Sequence, residues 1–132
     1  MSEPIPIIQD DSLRATESGF ELQVRFKWYR SLPLSCIEDL RLSVDGQAVD
    51  PELLRFGING HTYRLEELAG LVEEEWFIID PAHLAVAQPG LVKAGEQHQL
   101  DVAFGMRIPY IAIGPDKFLT MINRESVTQT AA

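Results

Sequence analysis

Phe20-Glu21-Leu22-Gln23-Val24-Arg25-Phe26-Lys27-Trp28-Tyr29 alternates apolar side chains with polar or amphipathic ones. Successive side chains of a strand point to opposite faces, so this stretch reads as a long β-strand, about residues 20 to 29, with a wide aromatic face toward a core. A matching stretch lies far downstream, where His98, Leu100, Val102, Phe104, Met106 and Ile108 alternate with Gln99, Asp101, Ala103, Gly105 and Arg107. Its second set is small or neutral enough to imply that this face is partly covered as well. Two such strands make the chain mainly β.

The first strand does not lead directly into the next alternation, Leu40, Leu42 and Val44. Between them runs Tyr29-Arg30-Ser31-Leu32-Pro33-Leu34-Ser35-Cys36-Ile37-Glu38-Asp39-Leu40, which belongs to neither pattern. With Leu32, Leu34, Cys36 and Ile37 the connection is too apolar for a solvated loop, and Pro33 bars it from a central sheet position. Those side chains must be buried on something. With no place for them in the strand pattern, the expected cover is the surface of another protein.

The remaining chain is punctuated by turns. Asp45-Gly46 supplies the positive φ angles of a type I′ hairpin over 40–49, and Asn59-Gly60 is a second such signal. Asp50-Pro51-Glu52 reads as a capped helical turn with proline at its first position. Leu65, Leu68, Ala69 and Val72 fall on one helical face and predict the single helix longer than a turn. Trp76-Phe77-Ile78-Ile79 is an apolar run ended by Asp80-Pro81, His83 to Val86 begins another strand, and Pro89-Gly90 and Ala94-Gly95 bracket a loop. The stretch from Pro109 to Ile122, with Gly114-Pro115 at its middle, is too apolar for a free tail. Residues 1–12, limited by Pro4 and Pro6, read as an extended arm, and 123–132 as a disordered tail. The whole predicts one domain over 1–132, an antiparallel β-sandwich with one short helix.

Composition narrows the function. The chain has 132 residues, enough for one core without metal or disulfide staples, and 20 acidic against 11 basic residues give a net charge of −9. That sign argues against nucleic acid or an anionic membrane as partner. Cys36 is alone, there is no C-x-x-C, the first ten residues lack the pattern of a signal peptide, and no apolar run is long enough to span a bilayer. The cytoplasm is the expected location.

Residues that could carry chemistry are sparse. There is no P-loop, dinucleotide fingerprint, nucleophile elbow or H-E-x-x-H. His61, His83 and His98 show no ligand spacing, so no metal site is expected of this chain. His61, on the Asn59-Gly60 turn, is either a proton carrier or substrate contact or a turn histidine bonded to nearby backbone. His98 at a strand start reads as structural. Glu73-Glu74-Glu75 reads as a solvated run and Glu66-Glu67 as acids favoured near a helix start. Cys36 beside Glu38-Asp39 reads as a buried or interface thiol rather than a nucleophile. Arg30 and Arg107 end the two alternating runs, where each could grip a partner's carboxylate or remain a strand-end charge.

Several of these pieces in order carry a resemblance. Tyr29-Arg30, Leu32-Pro33-Leu34-Ser35, Ile37-Glu38-Asp39, Val44-Asp45-Gly46, Asn59-Gly60-His61-Thr62-Tyr63, Leu65-Glu66-Glu67-Leu68, Trp76, Pro81-Ala82, Pro89-Gly90-Leu91, Ala94-Gly95 and Arg107-Ile108-Pro109-Tyr110 together resemble the small (beta) subunit of bacterial C-glycoside deglycosidases, enzymes built of two different subunits. The likeness covers about residues 20 to 111. It implies a β-sandwich docked on an alpha subunit with a TIM barrel, which holds a divalent metal, usually manganese, and the acid-base residues. It implies a C-glycoside substrate of flavonoid or anthraquinone type, already oxidised to a ketone at sugar C3. The ketone acidifies the C2 proton, a metal can stabilise the enolate, and the aglycone leaves by β-elimination. On that basis Tyr29, Arg30, Leu32, Pro33, Leu34, Ile37, Arg107 and Tyr110 are expected at the subunit interface, and His61 with Tyr63 at the rim of the substrate pocket. No catalytic residue and no metal ligand are expected on this chain.

Two other classes stay open. One is a stand-alone β-sandwich that binds sugar or protein without chemistry, for which exposed aromatic platforms would be the sign. The other is an autonomous hydrolase using His61 with Glu66 or Glu67, which lacks a nucleophile or paired acid placed by spacing.

Overall fold

In the computed structural model, residues 7–26, 30–78 and 80–132 are described. Its strands are β1 (Arg14–Ala15), β2 (Phe20–Val24), β3 (Leu32–Pro33), β4 (Ile37–Val44), β5 (Gln47–Ala48), β6 (Leu54–Ile58), β7 (His61–Arg64), β8 (Glu75–Trp76), β9 (Ala82–Val86), β10 (Gln97–Gly114) and β11 (Lys117–Thr130). They form a five-stranded sheet in the order β1-β2-β9-β6-β7, a four-stranded sheet in the order β11-β10-β4-β5, and the small pair β3-β8, all antiparallel. One hydrophobic cluster draws on both larger sheets, so the fold is the expected antiparallel sandwich.

The alternations place the core. Phe20, Leu22, Val24 and Phe26 are buried from one side, and His98, Leu100, Val102, Phe104, Met106 and Ile108 from the other. Trp76 joins them: its indole meets Phe56 of β6 edge-on at 5.4 Å, Phe26 at 4.7 Å and Phe104 of β10 in a stacked arrangement at 5.7 Å. Its Nε1–H donates to the Asp80 carbonyl at 2.8 Å, which satisfies the one polar atom this ring carries inside. Both turn signals are realised, with Asp45 and Gly46 at φ 52° and 80° and Asn59 and Gly60 at the same angles. Asp50 caps the Pro51–Leu53 turn by accepting from the Glu52 amide.

Four expectations are corrected. The segment expected as a helix is a 3-10 stretch, Leu65–Gly70, whose i, i+3 spacing sets Leu65 and Leu68 toward the core and leaves Val72 exposed. In β4, Asp39 takes φ 49° and the register against β10 shifts between Ala103 and Gly105, so Leu40 is only partly buried.

The segment 123–132 is no disordered tail. Its first eight residues belong to β11, which pairs with β10 all the way from Lys117 to Thr130. It also receives the N-terminal segment: the Glu125 carboxylate accepts from the amides of Ile7 and Ile8, and Gln129 accepts from Leu13 and donates to the Gln9 carbonyl. Ala131 and Ala132 then hydrogen-bond to residues 13, 15, 95 and 96.

The connection from Arg30 to Ile37 needs no outside cover. Leu32, Leu34, Cys36 and Ile37 are buried within the chain, because β3 pairs with β8 and a 3-10 turn at Leu34–Cys36 tucks the rest inward. Leu34 donates to the Glu74 carbonyl and Ser35 to that of Leu71, so the segment is sewn to the chain around 71–76. Leu32, Leu34 and Ile37 are therefore core residues and do not present a docking surface. A charge at Leu34 would enter the core before it reached any partner.

Candidate functional site

The β6–β7 hairpin holds His61 at the start of an edge strand. Asn59 in its turn donates to the Glu74 carboxylate at 3.1 Å and to the Glu75 carbonyl at 2.8 Å, which ties the turn to the start of β8. Beside it lies an open hollow of about 550 Å³ lined by Gly57, Ile58, Asn59, Gly60, His61, Thr62, Asp80, Pro81 and His83. Gly57 is its floor for a simple reason. In the register Gly57 stands between Thr62 of β7 and His83 of β9, and having no side chain it leaves the space between them open.

His61 and His83 line the same hollow, though the register sets them on neighbouring positions, His61 opposite Ile58 and His83 opposite Gly57. His83 is 22 residues away in the chain yet only two strands across the sheet, a proximity that a β6-β9 pairing creates and periodicity cannot reveal. Tyr63 falls differently. It is not among the lining residues; its ring lies 6.1 Å from that of His61, opposite Phe56 in the register. Partial burial, with the carboxylates of Glu74 and Glu67 nearby, raises the Tyr63 phenol above its ordinary value and keeps it protonated at neutral pH.

The residues expected at an interface separate into three groups. Tyr29 lies outside the described residues. Arg30 is exposed and stacks its guanidinium over the Tyr110 ring at 5.1 Å, so these two are brought together. Arg107 is held by its own chain, donating to Glu38 Oε1 at 3.4 Å and to the Ser35 carbonyl at 3.2 Å, while Thr120 donates to the other Glu38 oxygen. Pro33 is half-buried in the β3–β8 pair. Cys36 lies beneath this cluster, and burial, the largest influence, pushes its thiol up despite the nearby Arg107. A buried thiol so shifted carries little thiolate at neutral pH.

His98 serves the fold. Its Nδ1–H donates to Asp45 Oδ2 at 2.7 Å and its Nε2 accepts from the Lys93 amide at 3.2 Å, so both ring nitrogens are committed to loops. Trp76 is a core residue and offers no platform to a sugar, while Trp28 lies outside the described residues. Among the described residues no three His, Cys, Asp or Glu side chains converge in a way that fits a metal ion. No helix among them is long and apolar enough to cross a membrane.

The class of protein so defined is an antiparallel sandwich that carries an open hollow at one hairpin. Comparison with known proteins makes it more specific. A family model described as the C-glycoside deglycosidase beta subunit matches residues 6–110. The 3'-dehydrocarminate deglycosidase beta subunit of a Microbacterium species is 43% identical over 107 residues, covering 81% of this chain and 80% of that protein. A C-glycoside deglycosidase beta subunit of Arthrobacter globiformis is 32% identical over 113 residues, 86% of each chain. One from Microbacterium trichothecenolyticum is 33% identical over 128 residues, 97% of this chain and 96% of its own. The chain belongs to the C-glycoside deglycosidase beta subunit family, and as such it is one subunit of an enzyme with a partner subunit.

Proposed function

We propose that this chain is the accessory subunit of a cytoplasmic carbon-carbon lyase. It docks on a TIM-barrel alpha subunit, and the complex cleaves the carbon-carbon glycosidic bond of 3-oxo-C-glycosides of flavonoid or anthraquinone type. Family membership carries this proposal. The 3'-dehydro prefix in the name of the Microbacterium relative denotes a sugar oxidised at carbon 3, which supports an oxidised substrate.

A ketone at C3 makes the C2 proton acidic. Its removal forms the C1=C2 double bond as the bond from C1 to the aglycone breaks, and a proton returns to the aglycone carbon. The products are the free aglycone and an unsaturated keto-sugar. In this reading the manganese of the proposed complex is held by the alpha subunit; among the described residues of this chain no three His, Cys, Asp or Glu side chains are grouped to hold a metal ion. What this chain contributes is the His61 hollow, set beside the mouth that a TIM barrel opens at the C-terminal ends of its strands. In that position His61 shapes the pocket rim and does not act as the principal base.

The test compares the purified chain, its alpha subunit and the two together on a 3-oxo-C-glycoside, following aglycone release by chromatography. Release by the pair and not by this chain alone is the expected result. Turnover by the isolated chain, or none by an assembled pair, would sink the proposal.

A further inference from the structure

The long β10–β11 hairpin outgrows the sandwich. Pairing between β4 and β10 ends at Met106↔Ile37, and among the described residues β10 continues to Gly114 with β11 as its ladder partner. Six residues, Pro109 to Gly114, extend a strand by roughly 20 Å. Three apolar side chains of this part are turned to solvent, Ile113 at 64% exposed, Tyr110 at 44% and Phe118 at 40%, while Ile111 packs against the core. A two-stranded ribbon is marginal in water on its own, and so many exposed apolar groups in one place mark a contact surface.

Its charge differs from that of the body. From Pro109 to Asn123 the only charged residues are Asp116 and Lys117, which cancel, whereas the whole chain carries −9. A second copy seated on this arm would bring two strongly acidic bodies together, so a different chain suits it better. A chain of contacts links the arm to the hollow. Arg30 lies over Tyr110 at the arm's base, its neighbour Ser31 accepts from the Ile78 amide, and the same 76–81 segment supplies Asp80 and Pro81 to the hollow's wall. Phe77, next to Ile78, is 45% exposed. The family match stops at residue 110, where the arm begins.

We propose that the outer hairpin, Pro109–Phe118, is the arm by which this chain seats itself in an apolar, weakly charged cleft of the alpha subunit, bringing the His61 hollow against that subunit. This rests on the heteromeric enzyme proposed above. The burial of Leu32, Leu34 and Ile37 inside the chain makes the arm, together with Arg30, the docking surface in place of that connection.

The experiment measures the affinity of the alpha subunit for wild-type chain, for an Ile113→Lys/Phe118→Lys double variant, and for Val72→Lys, an exposed apolar residue outside the arm. Lysines forced into a desolvated cleft should weaken binding roughly 100-fold. Val72→Lys should bind like wild type, and all three isolated chains should melt within a degree or two of one another. An arm variant that binds within about twofold of a wild-type chain that itself binds well overturns the arm. So does an isolated chain that is a dimer, if the arm substitutions dissociate it and leave alpha-subunit affinity unchanged. A wild-type chain that does not bind the alpha subunit overturns both this inference and the proposed enzyme.

Discussion

Asp45 shows how much one side chain organises. It occupies a left-handed turn position at φ 52°, and its carboxylate accepts from His98 Nδ1 at 2.7 Å and from the Gln99 amide at 2.8 Å. The His98 bond chiefly, then the Gln99 amide, holds the Asp45 carboxyl below the usual carboxylate range. A group whose folded pKa is depressed stabilises the fold above its unfolded pKa and loses that contribution as pH falls through the folded value. Asn at this position tolerates the left-handed conformation but does not titrate. Wild-type chain is thus expected to have a higher urea midpoint than Asp45→Asn at neutral pH, with the gap closing as pH falls below the ordinary carboxylate value and through the lower folded one. A gap that stays constant across that range would show that the carboxylate charge is unimportant. The Asp-Gly pair was plain in the sequence as a turn, but its bond to a histidine 53 positions away was not.

At the scale of the element, β11 departs most from what its composition suggests. Asn123, Glu125 and Gln129 stand on its inward set, opposite Phe104, Val102 and His98. Polar residues at inward positions conceal a strand from any reading based on hydrophobic alternation. Glu125 and Gln129 are there to satisfy the backbone of residues 7–13, which crosses nearby as a nearly unpaired segment with one isolated bridge, Ile8↔Val24. Gln129→Ala would leave the buried Leu13 amide without its acceptor and is expected to cost about 1 to 3 kcal/mol in urea unfolding. Truncation after Ile122 should lower stability further and expose the N-terminal segment to protease. A truncated chain that melts like the full one would mean that the β11 clamp adds nothing to stability.

For the whole molecule, the hollow matters only if the assembled enzyme uses it. His61→Ala should lower kcat/KM of the complex on a 3-oxo-C-glycoside by roughly five- to 150-fold while the subunits stay associated. Gly57→Val probes the floor of the hollow with an apolar side chain and replaces no polar one. Its Cβ would stand 3.4 Å from that of His83 and its φ is not left-handed, so valine suits the strand and fills the floor. A loss of rate in both variants, with intact assembly, is the signature of an occupied hollow. Wild-type kinetics in both would make His61 a turn residue, and complete loss in an intact complex would give this chain a catalytic group.

The strands with strict alternation, the Asp45-Gly46 and Asn59-Gly60 turns, the capped turn at Asp50 and the family likeness were all legible in the sequence alone. Each of the structural signals is local: period two, positive φ and a carboxylate two residues from an amide all act within a few positions. Where the connection at 30–37 is buried was settled only by folding, because β3 finds β8 more than 40 residues away. Folding also set Gly57 between Thr62 and His83, and laid β11 beside β10 as the edge of its sheet. Such outcomes depend on which strands become neighbours, and pairing across the sheet is set by packing of the whole core rather than by any short stretch of side chains.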